Sequence, residues 1–179
     1  MSVVRLARRS DSDGPAAEVL PGVLDLYGPT PPGAGCRDDE LSDTARAMSQ
    51  ENVEIVRGVI DAFNRGALEA AIQHFAPDIN WHDQRELPGA QVHHGHAGVL
   101  GHLRSVTEDM SDYHGEVKTA RAVGDKVMIC ALVSARGRTS GLAVERETFT
   151  VFTLDRGSIT RVEIFGSGDE ALEAVGLSE

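Results

Sequence analysis

Cysteine is almost missing from this 179-residue chain, which has only Cys36 and Cys130. Cys36 lies in a stretch rich in proline and glycine, and Cys130 in the apolar run VMICALV (127–133). A disulfide between two such places is not expected. Nor does the spacing suggest a metal-binding set, so no metal and no cofactor are expected, and a reducing cytoplasm fits best. Long apolar runs are also lacking. None approaches the roughly 20 residues needed to cross a bilayer, which argues against a membrane partner. Basic residues are scarce, with 17 Lys and Arg against 28 Asp and Glu, a net charge of −11 and a pI near 5.0. That balance excludes a nucleic-acid phosphate backbone or an anionic membrane surface as the natural partner. There is no phosphate-cradling glycine loop, nucleophilic serine elbow or CxxC pair, so nucleotide, acyl-transfer and redox chemistry find no support.

Proline is rare except at the start. Residues 1–47 hold Pro15, Pro21, Pro29, Pro31 and Pro32, five of the chain's seven. Such a stretch buries too little apolar surface to offset the entropy of ordering it, and is expected to be disordered or loosely attached. A second reading is that translation begins at Met48 and the head is a gene-model artefact. The opening MSVVRLARRS runs into Ser10-Asp11-Ser12-Asp13-Gly14-Pro15 where an export signal needs an apolar core, so no signal peptide is read there.

Residues 48–179 carry the periodicities of one folded domain. Val53, Val56, Ile60 and Phe63 recur at three- and four-residue steps, predicting a helix over 50–65 with Ser49 as N-cap and Gly66 past its end. Leu68, Ala71, Ile72 and Phe75 predict a second helix that Pro77 stops. Residues 78–84 alternate as a strand, and Gly95 leads into a third helix striped by Val99, Leu103, Val106 and Met110. Four strands follow, over 113–123, 126–136, 142–154 and 158–165. Gly124-Asp125 turns the first pair and Asp155-Arg156-Gly157 the second. A short helix over 169–175 closes the chain. Helices first and a meandering sheet second define an α+β domain with helices laid on one sheet face.

The segments FNRGALEAAIQHFAPDINWHD, HHGHAGVLGHL and VFTLDRGSITRVEIF resemble the SnoaL-like branch of the nuclear transport factor 2-like (ketosteroid isomerase-like) superfamily, over about residues 48–177. The resemblance implies a cone-shaped fold, with a curved antiparallel sheet of four to six strands and three helices over a central pocket. It also implies a homodimer. Its members include polyketide cyclases, ketosteroid isomerases and limonene-type epoxide hydrolases, so the fold does not select a reaction.

Asp83 is the sharpest candidate, because it shares a strand face with Trp81. A carboxylate beside an indole and away from water can be tuned as a general base. The resemblance puts Asp83 where ketosteroid isomerases carry their proton-shuttling aspartate. A strand-end aspartate that satisfies loop N–H groups is the plainer alternative. The rest of the isomerase site is missing. The position of its oxyanion-hole tyrosine falls on Val59 and that of its second acid, shared with the cyclases, on Thr150. Neither residue replaces a strong acid at an enolate. Epoxide hydrolysis could draw on Asp83 and Arg146, which shares a strand face with Thr148, Thr150 and Phe152, but no second acid is evident on that face.

The resulting expectation is a protein that binds a small apolar organic molecule. Asp83 would take or position a proton, Thr150 would offer a hydrogen bond, and His82 would assist. Trp81, Val59, Phe63 and Phe152 would form apolar walls, with Arg146 beside them. His82, opposite in strand parity to Asp83, is placed on the outer sheet face, and His93, His94 and His96 of HHGHAG are read as solvated loop residues in preference to a metal site. The rival expectation is a non-catalytic dimeric binding or interaction module.

Overall fold

The computed structural model describes residues 43–177, with side chains from residue 50 onward. The expectation of disorder over 1–47 falls mostly outside the described residues, as does Cys36. Helix α1 spans Asp43–Asn64, so Ser49 lies inside the helix instead of capping it. Ala45, Arg46, Ala47 and Met48 are strong helix formers, and extending a nucleated helix costs far less than starting one. Helix α2 is a single turn, Leu68–Ile72. The chain then enters β1 (Phe75–His82), β2 (Val92–His94), α3 (Gly95–Asp109), β3 (Met110–Val123), β4 (Lys126–Gly137), β5 (Ala143–Asp155), β6 (Ser158–Phe165) and α4 (Gly168–Ala174). No helix among the described residues is long and apolar enough to cross a membrane.

Two expected helical positions belong to strands instead. Phe75 opens β1, and Met110 opens β3. Pro77 sits within β1 where the pairing register shifts, between Phe75 and Asn80, so its missing N–H interrupts no regular ladder. The short strand β2 was not foreseen, because three residues are too few for a periodic signal.

The six strands form one sheet in the order β2-β1-β6-β5-β4-β3. It is mixed, not purely antiparallel, because β1 and β6 pair in parallel. The chain leaves β1, builds the rest of the sheet as a meander, and returns in the same direction beside it. Both hairpin turns fall where the glycines predicted them. Gly124 has φ +59 at the first central position, the II′ pattern, while Arg156 (φ +47) and Gly157 (φ +79) give a I′ turn.

Register shifts interrupt β3 between Ser111 and His114 and again between Val117 and Thr119, with Asp112 at φ +55 in the first. Such bulges bend a strand and raise its twist, which curves the sheet. Helices α1, α2 and α3 pack into the concave side through Val56, Val59, Leu68, Ile72, Val99 and Leu103 against Val127, Ile129, Phe152 and Val162. The opposite face carries Met128, Cys130, Phe149 and Val151, covered by Ala171 of α4 and by Val175 just past its end. Strand β4 is therefore buried on both sides. That is why VMICALV reads as a continuous apolar run instead of an alternation.

One polar contact ties α1 to the bent strand. Asn64 Nδ2 donates to the Gly115 carbonyl at 2.9 Å, and Gly115 N–H donates to Asn64 Oδ1 at 2.8 Å. Gly115 pairs with Val133 between the two register shifts, on a strand that has a neighbour on one side only. Asn64→Ala removes both partners at once. It should lower stability by about 1–3 kcal/mol in urea unfolding, whereas loss of a solvated surface amide would leave the midpoint unchanged.

Candidate active site

Strand parity sets which side chains enter the space under the helices. Trp81 points inward from β1, His82 outward, and Asp83, one residue past the strand end, inward again. The inward residues meet a cavity of about 620 Å³ between α1, α3 and the concave sheet. Val59, Phe63, Trp81, Asp83, Arg146, Thr150 and Phe152 all line it, seven of the eight expected site residues. His82 does not. It borders a second depression, with Asp83, Arg85, Glu86 and Glu163.

The histidines that reach Asp83 come from the HHGHAGVLGH segment. The His93 Nε2 atom lies 3.1 Å from Asp83 Oδ2, and His102 Nε2 lies 3.4 Å from Asp83 Oδ1. All three side chains are no more than one-fifth exposed, which overturns the expectation of solvated loop histidines here. The two imidazoles stack with centroids 4.1 Å apart, and Trp81 stands 5.7 Å from His102. Pairing of β2 with β1 delivers His93, setting it opposite Trp81. About two turns into α3, His102 comes round to the same wall.

The neighbouring histidines have other tasks. His94 Nδ1 pairs with Asn80 Oδ1 at 2.6 Å, and His96 Nε2 lies 2.8 Å from the Phe75 carbonyl. Gly95 makes this turn possible. Its φ is +65, and a Cβ there would come within 3.1 Å of the Pro77 carbonyl.

Asp83 also serves its loop. Its carboxylate accepts the Gln91 N–H at 3.2 Å, and its own N–H donates to the Gln91 carbonyl at 3.0 Å. The structural and the chemical readings of this aspartate thus each have a contact. Arg146, also on the lining, is buried and donates at 3.1 Å to Oε1 of Gln84, the residue after Asp83. Asp109, at the end of α3, supplies a further carboxylate to the lining that strand-face reasoning missed, because it comes from a helix. The Trp81 indole N–H is buried and meets no acceptor among the described residues.

Burial holds the His102 imidazole below its usual range; the Asp83 carboxylate works against this, and His93 adds to the lowering. His82 is lowered as well, first by burial and then by Arg161. Asp83, His93 and His102 together offer three ligand atoms, one from each, all within 4.8 Å of one another.

A helix-capped, curved-sheet cone around a mainly apolar cavity with a few convergent polar groups defines a small-molecule pocket fold of the nuclear transport factor 2-like type. The family model for the SnoaL-like domain matches residues 56–162, well over half of the chain, and the chain belongs to that family. Among solved structures, a proposed polyketide cyclase from Sinorhizobium meliloti is 27% identical with a TM-score of 0.53, the alignment covering 62% of this chain and 93% of that one. A protein of ketosteroid isomerase-like fold from Catenulispora acidiphila, in complex with trimethylamine, is 19% identical with a TM-score of 0.58 (69% and 93% covered). An NTF2-like protein of unknown function from Burkholderia pseudomallei is 18% identical with a TM-score of 0.59 (70% and 97%). The last two show the fold alone. No curated protein matches the sequence.

The depressed imidazoles have a consequence for stability. An unfolded histidine takes its proton near pH 6.5, whereas folded His102 and His82 take theirs lower. Below about pH 6.5 the unfolded chain therefore binds more protons, and the stability present above that pH is lost as pH falls through the folded values. Urea midpoints of chelator-treated protein should fall from pH 7 to pH 5, and His102→Gln should make that fall shallower. An equal slope in the variant would show that His102 is not held neutral by the fold.

Proposed function

We propose that this chain binds a small, mostly apolar organic molecule in its cavity and moves a proton on it without a cofactor, with Asp83 as the base. The observation that carries this reading is the Asp83 carboxylate held between two imidazoles at the wall of an apolar cavity of about 620 Å³. That volume lies within the roughly 300–1,000 Å³ typical of small-molecule sites. In such a place the carboxylate has few waters to compete for it, and its two oxygens are aimed by His93 and His102.

The remaining groups suit the task. Thr150 offers a hydroxyl and Trp81 a buried indole N–H, each a donor for an oxygen on the ligand. Arg146 brings positive charge to the same cavity, where negative charge on an enolate-like or alkoxide-like oxygen would be favoured. Val59, Phe63 and Phe152 supply apolar contact. Proton abstraction, as in isomerisation, cyclisation or elimination, is the reaction class these groups support. The Sinorhizobium protein is a proposed polyketide cyclase, and that assignment agrees in kind with this reading.

Native mass spectrometry of protein purified from its own host is the first test. A co-purifying organic ligand is expected, carried by a homodimer. With that ligand or its precursor as substrate, Asp83→Asn should lower kcat by at least about 10²-fold while leaving the unfolding midpoint within the range of a surface substitution. Undiminished turnover in Asp83→Asn would sink the catalytic reading. An empty pocket that also refuses a library of apolar ligands would leave the binding or interaction module as the function.

A further inference from the structure

We infer that Asp83, His93 and His102 form a binding site for one divalent first-row transition cation, opening onto the cavity. Two imidazole nitrogens and one carboxylate oxygen are the donor set such ions take, with positions left over for water or a ligand oxygen. The donors are brought from three separate places: the end of β1, strand β2 and the middle of α3. No sequence spacing announces them, and the fold alone makes them converge.

The distances suit an ion. In a filled site with metal–ligand bonds of about 2.0–2.1 Å, neighbouring ligand atoms stand about 3.0–3.4 Å apart. Asp83 already lies 3.1 Å from His93 and 3.4 Å from His102 through its two oxygens. One atom from each residue falls within 4.8 Å of the others, a spread that small side-chain rotations close. The rings stack 4.1 Å apart with planes 23° from parallel, so one imidazole turns when both nitrogens face a single ion at the cavity wall. All three side chains are four-fifths or more buried, so solvent competes weakly for the ion.

His94 and His96, engaged with Asn80 and the Phe75 carbonyl, stay out of the set. Imidazole donors disfavour Mg²⁺ and Ca²⁺, which leaves Zn²⁺, Co²⁺, Fe²⁺ and their neighbours. This inference does not rest on the proton-transfer reading. An ion in the site would occupy the lone pairs of Asp83 and bring a bound water in their place, so the two states exclude each other at one carboxylate.

The test uses the full chain, stripped with chelator and titrated with Zn²⁺ alone by calorimetry, then with Co²⁺ alone by visible absorption. One equivalent should bind, and Co²⁺ should give ligand-field bands of a low-symmetry site with nitrogen and oxygen donors. His93→Ala, His102→Ala and Asp83→Ala should each weaken Zn²⁺ binding by about 10-fold or more, with His94→Ala unchanged. A His102→Gln variant, closer in shape, guards against loss through misfolding and should also lose binding while keeping the wild-type circular dichroism. Binding that survives His102→Gln, or that His94→Ala abolishes, would overturn the assignment, as would no uptake at all. No organic substrate enters these measurements, so failure of the metal site and failure of proton transfer are read separately.

Discussion

The concave face of the bent sheet is wider than the helices can fill, and the rest of the molecule follows from that mismatch. Bulges in β3 bend the sheet, and the long α1 lies across the hollow, pinned at Asn64 to Gly115. Aliphatic contact closes the narrow end, where Val56, Ile79, Val127 and Ile159 are fully buried. Beyond it, the inward-pointing Trp81, Thr150 and Phe152 line the cavity. A flat sheet would have packed against α1 along its whole length and left no cavity.

The polar cluster sits where that space meets the end of β1. A carboxylate brought under a helix layer must be solvated or given donors, because an isolated charge is costly there. Here His93 and the Gln91 N–H are hydrogen-bonded to it, and the His102 imidazole lies 3.4 Å away. Both histidines are held by the same packing that shapes the cavity, so the polar cluster is positioned by the fold and not by a flexible loop. Val59 and Thr150 line the same cavity, and Asp83, His93 and His102 are the titratable groups gathered at its wall.

Much of this was legible in the sequence, and the boundary of legibility is physical. Periodicity found α1, α3 and the four long strands because each exposes one face and buries another over many residues. Parity alone put Trp81 and Asp83 inside and His82 outside, since side chains alternate along a strand. Local signals misplaced Phe75 and Met110, where an apolar residue at helical spacing was claimed by a following strand. The parallel pairing of β1 with β6 was also invisible, as it joins residues about eighty positions apart. So were His93 and His102 as partners of Asp83. Their meeting depends on the three-residue β2 and on the azimuth of α3, neither of which leaves a pattern in the chain.

Strand β3 has a second significance as the outermost strand of the sheet. A long, regular edge would present a row of unpaired backbone groups to any passing chain, the usual start of intermolecular β-pairing. The two register breaks spoil that row, Asp112 turns out of it, and Glu116 and Lys118 place an ion pair along it at 2.7 Å. The irregularities that hollow out the domain thus also keep its border from recruiting foreign strands. Straightening β3 would fill the cavity and expose a template for aggregation in the same step.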